Sequence, residues 1–210
     1  MQPEEGEEAD GTRSFIEEAR RGQIVRAAVE TIAEEGYARA SFVRIAARAS
    51  ISPGLITYHF KTKERLIRQV LEYVDTRLDK AMEGGPEPLT GFEDGLVRIV
   101  TGHVTHCSRY PREMAVRQEI GGSAAPESVR AWLRENEAAG RAELVGFLTE
   151  GQRHGEFRDF DPQVFTDTLF AALNSVPRQL RRRPAEEHDS YARELAELFA
   201  AAATGRVPSA

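Results

Sequence analysis

Apolar side chains recur every three or four positions along most of this chain, and no segment alternates apolar and polar residues as a strand would. The pattern therefore predicts an all-α protein of about nine helices. The first helix is expected from about Phe15 to Glu35 and stops near Gly36. The later, longer helices are expected at about 63–82, 90–108, 126–154, 162–181 and 188–203, with a short helix before Gly121.

Residues 41–63 carry the most informative pattern, in which a tight turn separates two short helices. Ser41 is a good N-cap for the first of them. Ser52 can cap the second helix, which Pro53 opens, because proline at the first helical position loses no hydrogen bond. Ser50 and Ile51 fill the turn. The apolar residues expected to face inward are Phe42, Ile45, Ala46, Ala49, Leu55 and Ile56.

The outward face of the second short helix is small and polar, and such a face fits the major groove of DNA. Gly54 supports this interpretation, because glycine inside a helix costs about 1 kcal/mol relative to alanine. The close approach of a partner to the backbone would offset this loss. Lys63 is expected in the first turn of the next helix, where a cation is unfavourable unless a phosphate lies nearby. The candidate DNA-binding residues are Ser41, Arg44, Ser52, Pro53, Gly54, Thr57, Tyr58, His59 and Lys63. The alternative is a helical hairpin in an unrelated all-α protein.

The stretch from Gly22 to Leu71 resembles the N-terminal domain of the tetracycline-repressor (TetR) family of bacterial transcription regulators. The matching segments are RGQIVRAAVETIAEEGY, SFVRIAARASIS, PGLITYHF and KTKERLI. The run Tyr58-His59-Phe60, followed by Lys61 and Lys63, is the most specific part of the match. Ser50 stands where the family usually has Gly, so a left-handed conformation there would carry strain. Thr57 stands where many members have Tyr, which removes a large base-contacting group.

The resemblance implies a three-helix helix-turn-helix DNA-binding domain, predicted over 14–68, and a helical ligand-binding and dimerisation domain over 69–210. It implies double-stranded operator DNA, a small-molecule effector and a second copy of the chain as partners. The charge distribution agrees with an N-terminal domain that meets phosphates and a C-terminal domain that does not. Residues 12–68 hold eleven Lys or Arg against six acids, whereas residues 69–210 hold seventeen against twenty-three. Residues 1–13, rich in acids, are expected to form a disordered leader.

The eighth and ninth helices each carry a wide apolar stripe, flanked in the ninth by alanines that permit close packing. A packed monomer core would explain the stripes equally well. The DNA-binding hypothesis favours an interface, because one short recognition helix reads few base pairs and two-fold pairing doubles the site. In the family resembled, these two helices build a four-helix dimer bundle. The candidate interface residues are Phe165, Leu169, Leu173, Val176, Leu195, Leu198 and Phe199.

The middle helices are expected to enclose a ligand pocket, with Asn136 and Asn174 as polar anchors among apolar residues. A hydrogen-bonded core amide would explain each asparagine as well. His103, His106 and Cys107 have a helical spacing close to that of metal ligands, but three residues on one helix fall short of a usual ligand set. No metal and no cofactor is therefore predicted. The candidate ligand-binding residues are His103, Cys107, Trp132, Asn136, Phe147, Phe170 and Asn174.

Several classes of protein are disfavoured by composition and motifs. No apolar run approaches the roughly 18 residues of a membrane span, and the start of the chain lacks the features of a secretion signal. A single cysteine suits a reducing cytoplasm. Recognisable nucleophile–base motifs and phosphate loops are missing, so an enzyme is not expected. The sequence predicts a cytoplasmic, ligand-responsive DNA-binding regulator, a repressor released from an inverted-repeat operator by a small molecule. The alternative is a helical small-molecule carrier or enzyme without a DNA role.

Overall fold

The computed structural model describes residues 5–85, 87–122 and 125–206, with side chains from Ile16 onward. Within these ranges the chain forms nine α-helices, a short 3₁₀ turn at Ala185–Glu187 and no strand, which confirms the predicted fold class. The helices are α1 (Glu5–Glu35), α2 (Phe42–Ala49), α3 (Pro53–Phe60), α4 (Lys63–Glu83), α5 (Phe92–Arg109), α6 (Pro111–Gly121), α7 (Glu127–Arg153), α8 (Pro162–Leu180) and α9 (His188–Thr204).

The largest departure from the sequence prediction lies at the start of α1. Residues 5–13, which were expected to form part of a disordered leader, are helical in the structure, and residues 1–4 lie outside the described residues. Glutamate and alanine are good helix formers, and carboxylates in the first turns of a helix oppose the positive end of its macrodipole. An acidic segment that continues into an apolar-faced helix can therefore extend that helix toward the N-terminus.

Capping groups explain where several helices begin. Asp161 accepts hydrogen bonds from the backbone N–H groups of Gln163 (2.8 Å) and Val164 (3.3 Å), as its position before Pro162 predicts. The start of α5 is capped from a distant part of the chain. There Glu156 Oε2 accepts from the N–H of Phe92 at 2.7 Å. A Cβ at Gly91 would lie 2.6 Å from Glu156 Oε2, so a side chain there would displace the capping carboxylate from this position.

The helices divide into two compact units. The N-terminal unit comprises residues up to Tyr73 together with Val116–Val129, and the C-terminal unit comprises Val74–Ala115 and Arg130 onward. Helices α4, α6 and α7 contribute residues to both units. The core of the N-terminal unit is formed by branched aliphatic and aromatic side chains from α1 to α4: Ile24, Ile32, Ile45, Ile56, Phe60, Leu66, Ile67 and Val70.

The C-terminal unit is built around α5, which packs against both α8 and α9. The buried side chains of this unit include Leu96, Val100, Val104, Leu148, Leu169 and Val176. Close packing within the unit depends on Gly102, because a Cβ there would lie 2.0 Å from the backbone oxygen of Ala81 in α4. None of the helices in the described ranges has the length and apolar character needed to cross a bilayer.

Ser50 adopts the left-handed conformation that its place in the turn requires, with φ 54° and ψ 45°. A side chain in this region is strained relative to glycine. We expect Ser50→Gly to raise the free energy of unfolding by about 1 kcal/mol, measured by chemical denaturation. Ala47→Gly, a change at an exposed helical position of α2, is the matched control and should lower stability by about 1 kcal/mol. A loss of stability in Ser50→Gly would contradict the strain at this turn.

Candidate nucleic-acid interface

The two short helices α2 and α3 are held in a fixed relation by caps and by the turn between them. Ser41 Oγ accepts from the N–H of Arg44 at 3.4 Å, and Ser52 Oγ accepts from the N–H of Leu55 at 3.3 Å. The N–H of Ile51 donates to the carbonyl of Ala46 at 3.0 Å and closes the end of α2. Both predicted N-caps therefore bond as expected, and the pair of helices has helix-turn-helix geometry.

The exposed face of α3 carries small polar residues and one aromatic ring. The side chains of Ser52, Pro53, Thr57 and Tyr58 are exposed, and Tyr58 retains 60% of its accessible surface. Gly54 lies on the same face, and apart from its chain neighbours and the backbone of its own helix an added Cβ there would meet no protein atom nearer than Ser52 Oγ at 3.9 Å. The fold itself therefore places no demand for glycine at this position. A partner that approaches the backbone closely from outside would require glycine at this position.

His59 is half-buried between two neighbouring aromatic rings. Its ring centroid lies 5.1 Å from that of Tyr58 and 6.4 Å from that of Phe60. Burial, and then the nearby Arg21 guanidinium, lower the pKa of His59 below its ordinary value. Both effects favour the neutral form of the His59 imidazole over the cation.

Lys63 has a partner inside the protein. Its Nζ donates to the backbone oxygen of Tyr37 at 2.6 Å and lies 4.1 Å from the centroid of the Tyr37 ring. Burial lowers the pKa of Lys63. The Tyr37 carbonyl and ring compensate the unfavourable position of the Lys63 charge, a role that was expected of a DNA phosphate. The direct contact between Lys63 and DNA therefore stays a prediction.

Lys61 is an exposed cation at this end of α3 that was not among the residues predicted to bind DNA. It has φ 62°, and its Nζ lies 5.3 Å from the centroid of the Tyr58 ring. Thr62 Oγ1 accepts from the N–H of Arg65 at 3.2 Å and caps α4, which leaves Lys61 in the short connection between α3 and α4. The sequence signal for Lys61 was its place directly after Tyr58-His59-Phe60.

A second residue that sequence reasoning missed is Glu119, on the part of α6 that belongs to the N-terminal unit. Its Oε1 accepts from the backbone N–H of Tyr37 at 2.5 Å. Tyr37 is therefore held on both sides of its backbone, by Glu119 at the N–H and by Lys63 at the carbonyl. No local pattern links residues 37, 63 and 119, so only the folded chain reveals this arrangement.

The arginines of α2 are paired with the end of α1. Arg44 forms a salt bridge with Glu35, and Arg48 forms one with Glu34. Because α2 is an α-helix, positions 44 and 48 lie one turn apart on its exposed side. Arg44 was a candidate DNA contact, whereas Arg48 and the two glutamates were not.

The histidines of α5 serve separate partners in the C-terminal unit. His103 Nε2 lies 3.1 Å from the backbone oxygen of Leu173, and His106 Nε2 lies 3.3 Å from Glu113 Oε2. Cys107 is buried in the core. Among the described residues no group of three His, Cys, Asp or Glu side chains is placed to hold a metal ion.

The remaining candidate ligand residues divide between core and surface. Trp132, Phe147 and Phe170 are half-buried, and the Phe147 ring lies 5.3 Å from that of Phe92. Asn136 and Asn174 are exposed, which corrects the expectation that their amides anchor a ligand inside the chain. Both helices have apolar stripes, but these asparagines lie beside the stripes rather than within the buried part.

The candidate dimer residues also divide. Phe165, Leu169, Leu173 and Val176 are buried in the core of a single chain, so they are not available to a partner and their assignment to the interface is corrected. Leu195 and Phe199 are half-buried against the same core. The exposed apolar side chains of α8 and α9 are Val164, at 61% of its accessible surface, and Leu198, at 63%.

Comparisons with known proteins agree with this geometry. Residues 24–70 match the family model described as bacterial regulatory proteins of the tetR family. The fatty acid metabolism regulator protein of Bacillus subtilis (strain 168) is 25% identical over 167 residues, which cover 73% of this chain and 79% of that protein. The family match therefore spans the helix-turn-helix, and a relative of comparable length aligns well beyond it.

Solved structures extend the similarity over most of the chain. A protein from Rhodococcus sp. that is described as a TetR-family transcriptional regulator has a TM-score of 0.74 and 26% identity, covering 87% of this chain and 99% of the other. FadR from Bacillus subtilis, solved in complex with stearoyl-CoA, shares the fold with a TM-score of 0.73 at 24% identity, covering 86% of this chain and 97% of the other.

These similarities and the structure lead to the same assignment. The matched residues 24–70 contain the whole helix-turn-helix, with its caps, its left-handed turn and its exposed α3 face. The solved regulator from Rhodococcus sp. covers 87% of this chain, so the similarity extends beyond the helix-turn-helix into the helical C-terminal unit. Residues 24–70 therefore form a DNA-binding domain of the TetR family, and over most of its length the chain resembles TetR-family transcription regulators.

Proposed function

We propose that this protein is a transcriptional repressor that binds an inverted-repeat operator as a homodimer and releases it when a small molecule binds the C-terminal unit. The observation that carries the proposal is the exposed face of α3, where Gly54 leaves the backbone open to a base edge. Repression rather than activation is supported by relatives such as an HTH-type transcriptional repressor. A cytoplasmic location follows from this role.

A homodimer is supported by the exposed apolar side chains on α8 and α9. Val164 and Leu198 each leave more than half of their surface accessible, and isolated leucines or valines gain free energy when a partner covers them. A two-fold axis would place two α3 helices on equivalent groove faces, with half-site centres about 34–36 Å apart or somewhat more.

The effector that the C-terminal unit suits best has a long apolar chain. Six phenylalanine rings follow one another through this unit, with successive centroids 4.8–6.4 Å apart: Phe92, Phe147, Phe157, Phe160, Phe165 and Phe199. A relative regulates fatty acid metabolism, and a protein of the same fold binds stearoyl-CoA. We therefore propose a fatty acyl thioester as the effector class.

Release from the operator would be a population shift. Helix α4 contributes Lys63–Tyr73 to the N-terminal unit and Val74–Glu83 to the C-terminal unit. A ligand that favours one position of α4 in the C-terminal unit would also favour one position of the DNA-binding helices. The coupling can be no larger than the difference in the ligand's affinity for the two states.

The experiment that tests this function is a gel shift with DNA that flanks the protein's own gene, followed by addition of stearoyl-CoA. We expect a specific complex that stearoyl-CoA dissociates and that coenzyme A without the acyl chain leaves intact. Failure of the protein to bind any flanking fragment would overturn the operator proposal. Binding that no acyl-CoA affects would overturn the effector class alone.

Gly54→Leu should abolish operator binding while the fold and the oligomeric state remain intact. The leucine side chain has open space in the chain itself, and it would obstruct the approach of a base edge. Footprinting measures the binding, and circular dichroism checks the helix content. A folded Gly54→Leu protein with wild-type operator affinity would remove the argument for close approach.

Lys61 and Lys63 should differ in their effects. Lys61→Ala should weaken binding to all sequences and reduce the slope of log affinity against log salt by about 0.9, with unchanged stability. Lys63→Ala should instead lower the free energy of unfolding by about 1–2 kcal/mol, because the Tyr37 carbonyl loses its hydrogen bond to the ammonium group and keeps the 3.3 Å bond from the N–H of Ala40. Anisotropy titrations at several salt concentrations and chemical denaturation separate these outcomes. An equal loss of salt dependence in both variants would assign a phosphate contact to Lys63 after all.

Leu198→Glu should yield monomers, because it places a charge on the exposed apolar surface of α9. Operator affinity should fall by at least tenfold, since only one half-site is engaged at a time. Leu89→Glu is the matched control, because Leu89 is similarly exposed (57%) but lies outside α8 and α9. Light scattering beside footprinting gives the result. A dimeric Leu198→Glu protein would move the interface elsewhere.

A further inference from the structure

The end of α1 carries two carboxylates at an unfavourable place. Glu34 and Glu35 are the last two residues of the helix, and its last turn contains no basic residue. The carboxyl end of a helix bears partial negative charge, so acidic side chains there are destabilising unless another group compensates them. The compensating groups in this structure are arginines.

Those arginines belong to the first helix of the helix-turn-helix. Glu35 pairs with Arg44 and Glu34 pairs with Arg48, so the two ion pairs join the end of α1 to one side of α2. The hydrogen bond that Arg48 donates to Glu34 is the main cause that raises the pKa of Arg48. The Arg44 side chain keeps 54% of its surface accessible, and therefore it can still reach another acceptor.

DNA would meet both arginines, and this step rests on the proposed DNA-binding function. In helix-turn-helix proteins the first helix crosses the phosphate backbone while the second enters the major groove. Arg44 and Arg48 lie on the exposed side of that first helix. Any DNA that reaches α3 must either displace Glu34 and Glu35 from the arginines or share the guanidinium groups with them.

We propose that Glu34 and Glu35 determine DNA specificity by holding Arg44 and Arg48 in ion pairs that only well-placed acceptors can share. Non-specific binding gains affinity from each phosphate that a cation neutralises. A paired arginine contributes little to this gain, because its carboxylate partner repels the same phosphate. A guanidinium has five N–H donors, so a correctly placed guanine or phosphate can bind one edge while the glutamate keeps another.

The double variant Glu34→Gln/Glu35→Gln tests the proposal, with fluorescence anisotropy over a range of KCl concentrations. The probes are a 30-base-pair duplex of random sequence and the flanking fragment that wild-type protein binds. At about 0.1 M salt we expect roughly tenfold tighter binding to the random duplex and a salt slope steeper by up to about 1.8, which corresponds to two new phosphate contacts. Affinity for the flanking fragment should change less than twofold, so specificity should fall about tenfold.

The matched control is Glu135→Gln/Glu143→Gln, which makes the same change in net charge at two exposed positions of α7. An equal gain of non-specific affinity in the control would show a general charge effect and overturn the proposal. Unchanged random-duplex affinity in the Glu34/Glu35 variant, or an equal gain for both probes, would overturn it as well. Wild-type protein that binds neither the random duplex nor any flanking fragment would instead refute the DNA-binding function on which the proposal rests.

Glu35→Asp provides a second variant that keeps the charge but shortens the side chain by one methylene. We expect about threefold tighter binding to the random duplex, because the carboxylate no longer reaches Arg44. Wild-type behaviour of Glu35→Asp would show that the charge acts through its field alone and would overturn the role of the ion pair. This variant also keeps the proposal testable if circular dichroism shows that the double variant is unfolded.

Discussion

The DNA-binding surface depends on the burial of a few apolar side chains beneath two very short helices. Helices of eight residues are not stable alone in water, so α2 and α3 exist only because larger helices cover their inner faces. Helix α3 buries Ile56 and Phe60, and the Arg21 guanidinium of α1 lies 5.1 Å from the Phe60 ring centroid. With the inner face fixed in this way, the outer face can remain small, polar and open to a partner.

Backbone groups near this surface are satisfied by residues distant in sequence. Tyr37 lies in the connection after α1, where its carbonyl accepts a turn hydrogen bond from the N–H of Ala40, and further partners for its N–H and carbonyl come from outside the turn. Glu119 of α6 and Lys63 of α4 supply them. Buried backbone groups without partners are strongly unfavourable, so these two side chains help to set the position of the helix-turn-helix within the N-terminal unit. The arginines of α2 are similarly held by carboxylates from the end of α1.

In the C-terminal unit the apolar side chains of α8 and α9 could have formed either a core or an interface. Leu169 and Val176 on α8 are completely buried by the chain's own helices, and Leu198 on α9 is left exposed. The proposed dimer surface is therefore a narrower strip than the apolar pattern suggested. The row of phenylalanines through this unit supports an apolar effector, whereas the asparagines first considered as anchors face outward.

The sequence by itself determined most of the helices, the caps of α2 and α3 and the helix-turn-helix, because periodicity and local capping depend on residues within a few positions of one another. Ser41 and Ser52 cap as predicted, and Ser50 is left-handed as its place in the turn required. Tertiary structure alone decided that Lys63 binds Tyr37, that Glu34 and Glu35 hold the arginines, and that Leu169 lies in the core. Each of these contacts joins segments that only folding brings together. The sequence cannot specify them, because an apolar stripe or a charged residue does not by itself identify its partner.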